Sequence, residues 1–376
     1  MKSITSPWQR LIASDDSAIL EWAAAQPWAE SMRSCAQDAV WHPEGDVWTH
    51  TSMVFEQVRE LDDYGGLDRS DQIALLFTAL LHDSGKPKTT RPDPETGRLR
   101  SPKHSLAGAH IAREVLRDLA CPLAEREAIV ALVRYHGRPP YLLESGNPEH
   151  EVIRLSWLLN NRQLHRFALA DTRGRDRSED SRPEEALHLW RDLAAETNCL
   201  DGPYPFANDQ ARFLFHRGEL SSLHYTPHDS RSCTVMMMSG LPGAGKDTWL
   251  ARHRPGLPVL SLDSLREELD IAPEENQGRV AQAAQARARE WLAAGNSFAF
   301  NATNLTASMR SRWVDLFHAY GARTEIVYIE PALATVARQN REREAVVPES
   351  VMSRLLAKLE VPTLAEAHSV TWVEDF

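Results

Sequence analysis

MMMSGLPGAGKDTWL, residues 236–250, decides the fold of the second half of the chain. An apolar run enters a glycine-rich turn and leaves it as the start of a helix. Residues 240–247, GLPGAGKD, match the phosphate-binding pattern G-x-x-x-x-G-K-[ST] everywhere except the last position, where Asp247 stands in place of Ser or Thr. Gly240, Gly243 and Gly245, with Ala244 between the last two, allow backbone amides to wrap a phosphate. Lys246 is spaced to reach the β- and γ-phosphates of a nucleoside triphosphate, ATP or another. The usual hydroxyl ligates Mg²⁺. A carboxylate at Asp247 has the oxygen chemistry for that contact, directly or through water, and Thr248 is one residue away to share it.

The pattern around this loop alternates. Residues 234–239 read as a buried strand, and 257–262, 297–301, 324–329 and 370–373 as further strands. Helices are expected from Lys246 and over 274–294, 308–320, 331–343 and 348–359. Alternating β and α predicts a parallel sheet flanked by helices. Asp263 follows the second strand, where doubly wound folds place ligands, and Arg266 lies one helical turn on. A carboxylate there suits taking a proton from a hydroxyl nucleophile, and an Arg beside it suits a phosphate. Arg338, Arg341 and Arg343 cluster before a Val-Val-Pro break, where a lid over transferring phosphoryl groups would draw its charge.

Before this region the periodicity is helical. Residues 70–82, SDQIALLFTALLH, carry an apolar stripe at Ile73, Leu76, Leu80 and Leu81, with Ser70 as the expected N-cap. The same spacing recurs over 107–119, 123–135 and 151–171, and Val- and Ile-rich alternation is missing, so an all-α domain is expected. The mixed-charge run 173–185 reads as a solvated loop or helix edge. The polar stretch 218–232 sets an expected boundary, giving domains 1–230 and 231–376.

Twelve of the 15 histidines precede residue 230, which puts imidazole chemistry in the first domain. His82 and Asp83 are adjacent at a helix end, where both can bind one metal. His50, His104, His136 and Asp171 add donors suited to Mn, Fe, Co, Ni or Zn. His42 and His110 are expected to orient a ligand or touch substrate rather than bind metal. Lys86, just behind the pair, is expected to hold a substrate phosphate.

Composition narrows the classes further. A net charge of −11 argues against a protein that coats nucleic acid by bulk electrostatics, yet allows local Arg residues to grip a few phosphates. Four scattered cysteines without a C-x-x-C pair suggest reduced thiols in a cytoplasm. No apolar run reaches membrane-spanning length, and the start lacks the apolar region of a secretion signal, so a cytoplasmic protein without membrane contact is expected.

The loop, D-x-x-R after the second strand, NATN at 301–304 and N-R-x-R before a V-P segment resemble the kinase domain of polynucleotide 5′-kinases, over roughly 234–362. The resemblance implies Lys246 on the ATP phosphates, Asp263 as general base for a 5′-OH, and Arg266 on the 3′-side phosphate of the acceptor. It places Arg343, helped by Arg341, on the donor phosphates. Small-metabolite kinases share much of this pattern. His50, His82, Asp83 and Asp171 match the H…HD…D signature of the HD phosphohydrolase superfamily, and His104 and His136 match members that hold two metals, so one or two ions are implied. HPEGDVWTHT and HD-x-GK also resemble the HD region of tRNA nucleotidyltransferases. In its order, an N-terminal all-α HD-type domain before a C-terminal α/β P-loop kinase domain, the chain resembles bacterial two-domain end-healing enzymes. That implies a phosphoesterase that clears 2′,3′-cyclic, 2′- or 3′-phosphate from RNA or DNA ends, joined to a 5′-kinase, with a separate polynucleotide ligase downstream. The alternative is an HD nucleotide phosphohydrolase fused to a small-metabolite or nucleoside kinase.

Overall fold

The computed structural model describes residues 6–175, 184–228, 231–272, 275, 277–343 and 346–374. Most of the charged run, at 176–183, and the expected helix start at 274 lie outside the described residues. Two compact units divide at Met1–Pro205 and Phe206–Phe376. No helix among the described residues is long and apolar enough to cross a membrane.

Among its described residues the first unit is built of helices and loops, with a short antiparallel hairpin, β1 (Arg91–Pro92) with β2 (Leu99–Arg100), and one isolated bridge between Ala36 and Asp46. Its centre is the helix Arg69–Leu81, in which Ile73 and every residue from Leu75 to Leu81 are buried. A helix apolar on most faces must be covered on most faces. The helices Val47–Arg59, Leu123–Tyr135 and Asn161–Arg173 provide that cover, joined around Phe55, Leu76, Val133 and Phe167 in one core. The N-cap is Asp68, whose side chain accepts the Asp71 amide, rather than Ser70. The expected helix 151–171 is two helices, Pro148–Ser156 and Asn161–Arg173. Asn160 restarts the second by accepting the Gln163 amide, and Asn161 Nδ2 donates to Val152 O and Cys199 O at 3.1 and 2.8 Å. Two polar side chains that cap and bridge thus interrupt an apolar rhythm that continues through them.

Among the described residues of the second unit, β3 (Thr234–Ser239), β4 (Val259–Ser261), β5 (Phe298–Asn301), β6 (Arg323–Ile329) and β7 (Ser369–Val373) form a five-stranded parallel sheet in the order β4–β5–β3–β6–β7. The central strand β3 has Val235 to Ser239 buried and delivers the chain into the glycine-rich loop. Between the strands run helices that include Lys246–His253, Leu262–Glu268, Gln277–Ala293, Ala307–Ala319 and Leu333–Arg341. This is the fold of P-loop kinases.

The division falls ahead of the expected boundary at 230. The reason is the helix Asp209–His216, which joins the second unit's core through Phe213. Phe213 stacks on His368 at 4.1 Å, Gln210 accepts from His368 Nε2 at 2.8 Å, and Asp209 pairs with Arg323. Since His368 Nδ1 accepts the Thr324 amide, its ring is held neutral, and burial pushes its pKa down to about 4.

Candidate functional site

Helix ends assemble the first cluster. His50 is on Val47–Arg59, and His82 caps the C-terminus of Arg69–Leu81, with Asp83 next. His104 opens the helix His104–Asp118, His136 caps Leu123–Tyr135, and Asp171 lies in the last turn of Asn161–Arg173. All but His104 are buried. His82, His104 and His136 each turn Nδ1 to a backbone carbonyl, of Ala79, Ser101 and Val133, at 2.8–2.9 Å. His50 Nδ1 faces Gly174 O at 3.2 Å and Glu44 Oε1 at 3.0 Å. A carbonyl only accepts, so Nδ1 carries the hydrogen and Nε2 is presented to the cluster.

The Nε2 atoms converge on the two carboxylates. His82 Nε2 is 3.2 Å from Asp83 Oδ2, His104 Nε2 is 3.4 Å from Asp83 Oδ1, and His50 Nε2 is 3.1 Å from Asp171 Oδ1. His104 and His136 bring their Nε2 atoms to 3.3 Å of one another. His82 Nε2 is buried with no hydrogen-bond partner. Lone pairs this close repel unless a cation lies among them, and an orphaned buried nitrogen costs about 1–3 kcal/mol. Among the described residues the candidate donors form three overlapping groups, His42–Glu44–His50, His50–His82–Asp83 and Asp83–His104–His136, with His50 shared by the first two and Asp83 by the last two, while Asp171 belongs to none of them. Imidazole and carboxylate at such spacing fit a divalent transition metal, and the overlap offers room for a pair.

Protonation suits that purpose. Burial pushes Asp83 and Asp171 up, but His82 and Lys86 around the first and Arg175 and His50 around the second outweigh it, holding both carboxyls well below the usual range. Burial drives His136 down to about 3. His50 differs: burial opposes its charge, but its hydrogen bonds to Asp171 and Glu44 raise its pKa above the usual imidazole value.

Lys86 sits inside this network rather than free at a helix end. Its Nζ donates to Gln37 Oε1 at 2.6 Å and pairs with Asp83 Oδ2 at 2.7 Å. His110 belongs to none of the donor groups, whereas His42 reaches Glu44 Oε1 at 2.8 Å. Glu44 and Arg175 escape a sequence reading. Glu44 holds both His42 and His50, with its side chain 1% exposed, and Arg175 pairs with Asp171 Oδ2 at 3.0 Å. The four-residue step from Asp171 to Arg175 was the available signal.

The glycine-rich loop has the conformation its sequence requires. Gly240, Gly243 and Gly245 have φ of 145°, 75° and 90°. A Cβ on Gly240 would lie 2.5 Å from Ile329 O, and one on Gly243 would press on the Asn340 backbone at 3.2 Å. Ala244 is buried, and its amide donates to Leu241 O. Lys246 Nζ donates to Gly240 O and Leu241 O, both at 3.0 Å. Burial pushes Lys246 down to about 8, opposed by the charges of Asp247 and Asp263 and helped by that of Arg343. Asp263 is in the first turn of Leu262–Glu268, where it pairs directly with Arg266. Asp247 and Thr248 are exposed. Arg343 is half-buried, whereas Arg341 ends its helix exposed to solvent. The NATN element lies against the loop: Thr303 O accepts the Gly240 amide at 2.9 Å, and Asn304 Nδ2 donates to Met238 O at 2.7 Å.

Both halves have known counterparts. Residues 47–164 match the HD domain family and residues 235–362 the AAA domain family. The chain therefore carries an HD domain followed by an AAA-type P-loop domain. It is 33% identical over 160 residues to the multifunctional CCA protein of Halorhodospira halophila, covering 41% of this chain and 36% of that one. It is 50% identical over 60 residues to the CC-adding tRNA nucleotidyltransferase of Thermus thermophilus, covering 16% and 14%. The chain thus spans well under two thirds of either relative. A solved sugar kinase from a Janibacter species is 18% identical over 38% of this chain and 85% of that one, with a TM-score of 0.30.

Proposed function

We propose that the protein heals the ends of broken RNA or DNA strands. The P-loop domain phosphorylates a 5′-OH with ATP or another NTP, and the HD domain removes a 2′,3′-cyclic, 2′- or 3′-phosphate. The observation that carries this reading is the pairing, in one chain, of a site built to add phosphate with one built to remove it. On one small metabolite the two would cancel; on a strand break they act on chemically different ends and leave the 5′-phosphate and 3′-OH that a separate ligase requires.

At the kinase site, Lys246 leaves the loop carbonyls for the β- and γ-phosphates. Asp263 takes the proton of the 5′-OH, and Arg266 moves from Asp263 to the 3′-side phosphate of the acceptor. Arg343, with Arg341, neutralises the donor phosphates. Mg²⁺ held near Asp247 and Thr248 supplies charge neutralisation there. At the HD site, His50, His82, Asp83, His104, His136 and Asp171 hold one or two divalent ions, which supply an activated water and phosphoryl polarisation. Lys86 and Arg175, beside the carboxylates, offer the positive charge that meets the substrate phosphate.

Acceptor competition tests the reading. A 5′-OH oligonucleotide should be phosphorylated far faster than mononucleosides or sugars at equal concentration. Preference for a mononucleoside or a sugar would replace it with a metabolite kinase.

A further inference from the structure

We infer that Asn301 and Asp247 exchange the roles that a phosphate loop and its neighbouring strand ordinarily divide, and that Asn301 is the positioning residue for the Mg²⁺ contact. This rests on reading the loop as a nucleotide site. In such loops a neutral hydroxyl follows the lysine, and the charged partner is an Asp on a nearby strand. Here the residue after Lys246 is charged and the strand-end residue is neutral.

Asn301 ends β5, level with Met238 of β3 and Ser261 of β4, at the carboxyl edge of the sheet beside the loop. It is 6% exposed. Its Nδ2 donates to Asp247 Oδ1 at 2.6 Å. A carboxylate only accepts, so this contact fixes the amide's orientation and leaves Oδ1 as the free acceptor. That Oδ1 is buried without a partner. The pair thus presents an oriented carboxylate and an unsatisfied neutral oxygen, the hard donors that Mg²⁺ and its waters prefer. The charge has moved from strand to loop, with its total unchanged.

Mg²⁺-linked ATP binding tests this without turnover. Dissociation constants are measured by calorimetry with EDTA and with excess Mg²⁺, and their ratio is the readout. In the native chain Mg²⁺ should tighten ATP at least about tenfold. Asp247→Ser should tighten Mg²⁺-free binding, because a carboxylate facing phosphate is lost, and collapse the ratio. Asn301→Leu should lower the ratio about tenfold, the effect of losing a residue that orients a ligand. Asn301→Asp combined with Asp247→Ser returns the charge to the strand and should restore most of the ratio. The similar shape of Asn301→Asp keeps the test valid if Asn301→Leu fails to fold. A native ratio in Asn301→Leu, or no recovery in the double variant, would overturn the exchange alone. Native protein that binds no ATP under either condition would overturn the nucleotide reading and the exchange together.

Discussion

At the residue scale, Glu44 holds two imidazoles of the HD cluster, His42 and His50, from behind. It receives His42 and His50 on one oxygen, while its second oxygen is buried without a partner. A carboxylate behind a metal-binding imidazole fixes its tautomer and orientation. Glu44→Gln should therefore lower divalent-metal affinity about 10–100-fold, read by competition with a chelating dye, and leave ATP binding unchanged. Lys246 carries a second expectation. Its pKa of about 8 means that the free protein loses this charge above pH 8, whereas bound triphosphate requires it. ATP affinity should therefore hold between pH 7 and 8 and fall by up to about tenfold per unit above pH 8. Isothermal titration across pH 7–10 would reveal this, and an unchanged affinity at pH 10 would contradict it.

At the scale of elements, glycines mark where backbone meets backbone. A Cβ on Gly85 would strike His104 O and lie 2.5 Å from Gly108 N, so Gly85→Ala should push His104 out of the cluster. Gly240→Ala meets Ile329 O and a φ that L-residues avoid. Each should cost about 1–3 kcal/mol in unfolding and weaken only its own site's ligand, metal in the first case and ATP in the second. The helix Asp209–His216 is tested by pH. His368 is neutral in the fold with a pKa of about 4 against 6.5 when free, so stability is full above pH 6.5 and is lost as pH falls toward 4. Thermal unfolding of His368→Phe should show a flatter slope across that window.

These elements also show what a sequence discloses. The strand–loop–helix around Lys246 was legible because glycine spacing and an apolar run encode it locally. The adjacent His82 and Asp83 stand out in the sequence at a helix end, and the other expected donors come from the resemblance to the HD signature; the structure brings His50, His82, Asp83, His104 and His136 into candidate donor groups. Glu44 was not legible, since nothing in its neighbours says that it folds back under His50. The split at 157–160 was hidden because Asn160 and Asn161 act through contacts distant in sequence. The expected boundary at 230 lies beyond the helix Asp209–His216, since its ties to the sheet, the stack of Phe213 on His368 and the pairing of Asp209 with Arg323, join residues far apart in sequence.

For the whole molecule, the proposed function has two sites of opposite sense serve one substrate with two ends. Separate loss of each activity is the consequence, because the metal donors and the phosphate loop lie in different units. The direct measurement uses one RNA oligomer carrying a 5′-OH and a 2′,3′-cyclic phosphate, incubated with ATP, Mg²⁺ and Mn²⁺, with both ends read by mass spectrometry. The account predicts a phosphate gained at the 5′ end and lost at the 3′ end, with Lys246→Ala abolishing only the gain and Asp83→Ala only the loss. An oligomer unchanged at both ends, in this form and as 3′-phosphate DNA, would contradict it.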